Sequence, residues 1–327
     1  MIKFFRQSYI IQYIVLAVLA VALWIPAFVS DSVDLTLTSP VTPIYNWLSG
    51  LLDASPLAMM ITAFVLMVLG AMFFNSILVA NQIIPKVSTM GAFVYLLFMN
   101  LTLTQTGFFP FALSQLFILA MIHICYIVYQ NSNPEIYLFN AGVCLALATM
   151  CYFPSIVLIV WVLISLIVSH FSSLRLHIIP VIGFLFPYFI YFGGTYLFGD
   201  LPSVLHDYSD YLANINLTTV GFRVRYIALL AVLAIFVLLP LVHSENYNFE
   251  KSVSVRSKLM MTLSMLLFSI LLLFMGGNPL LHGLVFLSLA IVATYDLSYV
   301  DKTGPANIVL ILFVVLIFLN RYLFKIM

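Results

Sequence analysis

The feature that most constrains this chain is the return, along its whole length, of continuous apolar runs about twenty residues long, the span needed to cross about 30 Å of hydrocarbon. Backbone groups in lipid must be satisfied within the protein, and runs of this length are twice that of the alternating strands of a barrel, so the pattern predicts helices. Composition agrees. Of 327 residues 64% are hydrophobic and 7% are charged, against roughly 25% charged in a soluble domain. The expected fold is all-α, a polytopic transmembrane helical bundle of about eleven spans, with ten to twelve allowed by ambiguous junctions.

The spans are placed near 9–29, 57–80, 88–107, 111–129, 136–152, 154–171, 177–198, 226–243, 258–276, 279–296 and 307–324. Phe108-Phe109-Pro110, Phe153-Pro154 and Gly276-Gly277-Asn278-Pro279 combine a break signal with continuing hydrophobicity and read as tight hairpins between neighbouring helices. The first run follows Lys3 and Arg6 but leads through Pro26 into an Asp-containing loop without a small-residue cleavage pattern, so it reads as a retained helix. The whole chain, 1–327, is expected to form a single transmembrane domain.

Basic residues favour cytoplasmic loops. With the N-terminus inside, Lys3, Arg6, Lys86, Arg175, Lys251, Arg256, Lys258 and Lys302 lie on the cytoplasmic side, and Arg223, Arg225, Arg321 and Lys325 lie outside. That excess, with Asp31, Asp34 and Asp53 in a first outer loop free of basic residues, predicts a multi-pass membrane protein with a cytoplasmic N-terminus. A formal net charge of +1 with scattered basic residues excludes a nucleic-acid surface.

Two loops have room for structure of their own, 30–56 and 199–225, and both fall on the outer face in this topology. Within the first, Ile44, Trp47, Leu48, Leu51 and Leu52 share one side at helical spacing, which predicts a helix lying along the interface. The second carries His206-Asp207-Tyr208-Ser209-Asp210-Tyr211 and ends on Arg223 and Arg225.

No motif fixes a reaction by itself. Asp31 and Asp34, three apart, could share a helix face as base and orienter at the membrane surface; the plainer reading is a solvated acidic loop. Arg223 and Arg225, with Arg321 more distant, are suited to a lipid phosphate, or to anchoring a helix end by snorkelling. Asn75, Asn100, Gln105, Gln115, His123 and Asn140 lie inside spans, where interhelical hydrogen bonds account for most such residues. Six histidines are spread over both sides without an HxxxH or HxxH pair, which does not make a compact metal site. Cys125, Cys144 and Cys151 match no zinc or disulfide framework and read as small buried hydrophobes. No cofactor is expected; a divalent metal has no residue pattern behind it.

A cytoplasmic N-terminus, one span, an acidic outer loop with an interfacial helix and then many spans resembles the layout of the GT-C membrane glycosyltransferases. That resemblance implies a polyprenyl-phosphate sugar donor and a catalytic carboxylate in the first outer loop, which by position would be Asp31 or Asp34. Here the acidic residues stand as Asp-Ser-Val-Asp rather than adjacent or one apart. Tyr137-Leu138-Phe139-Asn140-Ala141-Gly142, Cys151-Tyr152-Phe153-Pro154, and His177-Ile178-Ile179-Pro180-Val181-Ile182-Gly183 with Phe186-Pro187-Tyr188 also resemble a family of small polytopic inner-membrane proteins of Bacteroidota, to which no reaction is attached.

The leading expectation is therefore sugar transfer at the outer face, with Asp31 or Asp34 as base, Arg223 and Arg225 on the lipid phosphate, and Asp207, Tyr208 and Asp210 on the acceptor side. The rival is a noncatalytic membrane subunit holding protein partners of an envelope assembly. A transporter stands third, since the charges cluster at span ends rather than inside the bundle.

Overall fold

A computed structural model describes residues 1–29, 41–52, 56–100, 110–128, 133–169, 171, 173–213, 253–275, 279–300 and 303–319. Every regular element among them is helical. In chain order they are α1 (Ile2–Phe5), α2 (Ile10–Val29), α3 (Pro43–Leu52), α4 (Pro56–Ala80), α5 (Met90–Met99), α6 (Pro110–Val128) and α7 (Pro134–Cys151). A 3-10 turn (Phe153–Val157) leads into α8 (Leu158–Val168), followed by α9 (Leu174–Leu197), α10 (Leu201–Ala213), α11 (Val253–Met275), α12 (Pro279–Tyr299) and α13 (Thr303–Leu319).

Among the described residues, four helical segments are long and apolar enough to cross a membrane: Leu57–Ala80, Pro110–Val128, Pro134–Cys151 and Leu174–Leu197. Shorter apolar helices occupy Ile10–Pro26, Met90–Met99, Phe153–Val168, Gly283–Tyr299 and Thr303–Phe318. The expected span at 226–243 lies outside the described residues. Outward faces of several helices are apolar at helical spacing, as in Leu57, Ile61, Val65, Leu69 and Met72 of α4 and Ile308, Ile311, Leu312, Val315 and Leu316 of α13. A water-soluble helix puts the opposite residues outward.

The chain divides into two compact units. The first comprises Met1–Val33, Met67–Thr106 and Thr219–Met327. Its central helix is α5, buried on every side. Phe93 of α5 stacks on Phe5 at 4.2 Å, and Phe98 meets Phe313 at 5.1 Å. Glycines let α4 and α5 approach: a Cβ at Gly91 would stand 2.8 Å from Asn75 Oδ1, and one at Gly70 would meet the Tyr95 phenol. Asn75, polar within a span, is satisfied there: its amide donates to the Ser88 carbonyl at 3.0 Å, and its oxygen accepts from the Ala92 amide.

One end of this unit is tied by cations to helix ends. Arg6 donates through Nε and Nη2 to the Leu297 carbonyl, at 3.1 and 2.9 Å, and through Nη2 to the Val300 carbonyl at 2.6 Å. These are the orphan acceptors at the C-terminus of α12, the negative end of its dipole. Lys258, buried, donates to the Asn81 carbonyl at 3.1 Å at the end of α4. Meanwhile the Phe5 carbonyl accepts from the Thr89 amide at 3.0 Å, which brings the 81–89 turn against α1. Lys3, Arg6, Lys86, Arg256 and Lys258 thus belong to segments gathered at the same end.

The second unit comprises Asp34–Leu66 and Gly107–Thr218. Its axis is the pair α7 and α9, which run parallel: Glu135 meets Arg175 near their starts at 3.1 Å, and Thr149 meets Tyr188 further along. The pair crosses where Gly142 faces the Pro180 carbonyl and Gly183 faces the Phe139 carbonyl, each too close for a side chain. Close backbone approach through glycine is how helices gain dispersion contact where the surroundings are as apolar as their side chains. The break expected at Phe153-Pro154 is present: Tyr152 is extended, ending α7, and the 3-10 turn carries the chain into α8. Ser114 and Ser155 hydrogen-bond across the unit at 3.0 Å.

Candidate functional site

The second unit ends, where α7 and α9 finish, in two short helices, α3 and α10, that occupy the segments expected to form the outer loops. Helix α9 is stopped by Gly199, whose φ of +82° suits the left-handed residue after a helix. The Asp200 amide bonds back to the Thr195 carbonyl and the Gly199 amide to Tyr196, closing the last turn. The chain then turns directly into α10.

Helix α10 is pinned by Tyr208. Its ring packs edge-on against Phe153 (5.6 Å) and Phe192 (5.7 Å), and its hydroxyl donates to the Val41 carbonyl at 3.3 Å, just ahead of α3. Beside it, Tyr188 donates to the Thr149 hydroxyl at 2.9 Å, which in turn donates to the Ala146 carbonyl at 2.7 Å. These hydroxyls tie α9 to α7 and α10 to the segment ahead of α3. Burial holds the Tyr208 phenol well above the ordinary tyrosine range, so it stays a neutral donor. The neighbouring Tyr211, edge-on to Phe153 at 5.2 Å, is pushed in the same direction by burial.

Of the three residues expected on the acceptor side, Tyr208 faces inward as a packing and hydrogen-bonding residue. Asp207 is half-buried and within electrostatic range of Tyr191. Asp210 is exposed and pairs with His206 Nδ1 one turn earlier at 2.9 Å, a surface pair that contributes little to stability. Tyr208 positions the helix that bears Asp207 and Asp210. Asp31, Asp34, Arg223 and Arg225 lie outside the described residues. Among the described residues no group of three His, Cys, Asp or Glu side chains is arranged to hold a metal ion.

In α3, Tyr45 and Ser49 are buried while Trp47 and Leu51 point outward, 69% and 62% exposed. The stretch 44–52 is helical, as its spacing predicts. Tyr188, which belongs to the Phe186-Pro187-Tyr188 segment of the family resemblance, has no expected role at the site. The signal for it is Phe184, Tyr188 and Phe192 at i, i+4 and i+8, an aromatic stripe that becomes the inner wall of the site.

By class this is an all-helical protein with helices fit to cross a bilayer and, at one end, two amphipathic helices joined through a buried tyrosine. Its membership is explicit: the chain belongs to the DUF6427 family, described as a family of unknown function, whose model matches residues 1–327. Comparison with the curated proteins and with the solved structures finds no match.

Proposed function

We propose that this chain is a multi-pass protein of a bacterial inner membrane, N-terminus inside, that transfers a sugar from a polyprenyl-phosphate donor at the outer face. The observation behind this reading is the Tyr208–Val41 hydrogen bond. Segments 41–52 and 201–213, far apart in sequence, meet at one end of the second unit, where Asp210 is exposed and Asp207 half-buried. Carboxylates on a helix held at that end suit a saccharide, whose hydroxyls donate to carboxylate oxygens. Asp34, seven residues before Val41 in the chain, is the nearer of the two proposed bases, with Asp31 as the other; Arg223 and Arg225 take the lipid phosphate.

The basic end of the first unit supports the orientation. Lys3, Arg6, Lys86, Arg256 and Lys258 belong to segments at one end, as the positive-inside bias requires of a cytoplasmic face. Asp31→Asn, Asp34→Asn, Asp207→Asn and Arg223→Ala, made singly in the native host, test the reaction. Loss of a surface glycan at normal protein level is the expected result. Wild-type glycans in all four variants would discard it.

One observation favours the second reading, a noncatalytic subunit that holds envelope partners. Helix α9 exposes large side chains along its length, among them Ile182, Phe186, Phe189 and Ile190, a face broad enough for another membrane helix. Wild-type glycans together with co-purification of a partner lost on Phe189→Ala would establish that alternative.

A further inference from the structure

We propose that α10 is a second interfacial helix, inserted by its leucine edge into the same lipid layer as α3, with its His206–Asp210 edge in water. The proposal goes beyond the reaction above and stands whether or not the protein is an enzyme.

Around α10 the leucines stand apart from the ion pair. At about 100° per residue, Leu201, Leu205 and Leu212 fall within roughly 40° of one another. Tyr208, the buried residue of the helix, lies only about 20° from Leu201, with Val204 and Tyr211 further round on the same side, so the exposed leucine edge borders the face that rests on the protein. His206 and Asp210 fall roughly 140° to 180° from Leu201. Leu205 and Leu212 are 50% and 55% exposed. A helix with one edge on protein, one of exposed leucine and one carrying an ion pair is built for the boundary between hydrocarbon and water.

Two neighbours say what covers the leucines. The chain enters α10 from the end of α9, a helix long and apolar enough to span a bilayer, whose last residues Tyr196, Leu197 and Phe198 are all exposed, so apolar surface continues from a spanning helix into α10. Helix α3 repeats the plan: Tyr45 and Ser49 face the protein, Ile44, Trp47, Leu48 and Leu51 share an outer side, and Asn46 lies away from them. The Tyr208–Val41 bond fixes the two helices as neighbours. Charge identifies how the lipid is held. Residues 200–213 contain Asp200, Asp207 and Asp210 and no Lys or Arg, so attraction to anionic headgroups contributes nothing and apolar insertion must suffice.

The test uses the full-length protein in zwitterionic phosphatidylcholine nanodiscs whose acyl chains are brominated, a contact quencher of tryptophan. A Trp47→Phe background removes the exposed native indole, while Trp24 and Trp161 stay buried within the protein as a constant signal. Leu205→Trp and Leu212→Trp are each expected to lose at least about half of their added fluorescence, and Asp210→Trp almost none, because only the leucine edge meets acyl chains. Two leucine positions guard against one misfolded variant, and matching helical circular dichroism confirms the fold. Equal, weak quenching at 205, 212 and 210 would overturn the proposal. So would quenching at 205 that appears only when anionic lipid is added, or a dry but unquenched indole there, which would mean that protein covers this edge.

Discussion

The hydroxyl of Tyr208 and the backbone carbonyl of Val41, 167 residues apart in the chain, form the hydrogen bond that joins α10 to the start of α3. Around it the Phe153 and Phe192 rings exclude water, so a carbonyl that loses this donor has little to replace it.

Removing the donor and removing the ring should therefore differ in size. Tyr208→Phe keeps the ring contacts and costs about 1 kcal/mol, the worth of one neutral hydrogen bond. Tyr208→Ala also empties an aromatic site and costs about 3–5 kcal/mol. Thermal unfolding in detergent should rank wild type above Tyr208→Phe and both well above Tyr208→Ala. Equal losses would mean that the ring, not the bond, joins the helices.

At the other structural anchor, Arg6→Ala should loosen the end of α12, since the guanidinium serves two terminal carbonyls at once. Charged donors at helix C-termini contribute about 1–2 kcal/mol in partly buried geometry. Arg6→Lys, a single point charge without the fork, should recover part of this. Hydrogen exchange at the last turn of α12 is the direct readout, and unchanged protection in Arg6→Ala would remove the cap from the account.

The glycines divide by position rather than by type. Gly142→Ala places a methyl group against the Pro180 carbonyl, and Gly183→Ala does the same against Phe139, so each should force α7 and α9 apart. The expected cost is about 1–3 kcal/mol, as for other overpacked sites. Gly193→Ala, also in α9, meets nothing within 4 Å and should raise stability by about 0.5–1 kcal/mol through helix propensity. A melting series in which all three move the same way would contradict the crossing point.

Much of the fold is legible in the sequence because hydrocarbon permits few solutions. Twenty apolar residues without charge become a helix whatever their neighbours, which is why α2, α4, α6 and α9 begin and end within a few residues of the runs that predict them. Ile44, Trp47, Leu48 and Leu51 likewise announce α3 by spacing alone. The candidate site was less legible. His206 through Tyr211 stands out for its polarity, yet nothing local separates Tyr208, which turns inward, from the half-buried Asp207 and the exposed Asp210. That choice is made by Phe153, Phe192 and the Val41 carbonyl, contributed by three other parts of the chain. Nor could spacing reveal that Arg6 serves carbonyls 291 and 294 residues away, or that Lys258 is buried against Asn81. The sequence by itself determined which segments are helices, because helix formation in an apolar run is satisfied within the segment. Only the tertiary structure decided which polar side chains cap, pair or remain available, because each such choice depends on a partner that the fold brings from elsewhere.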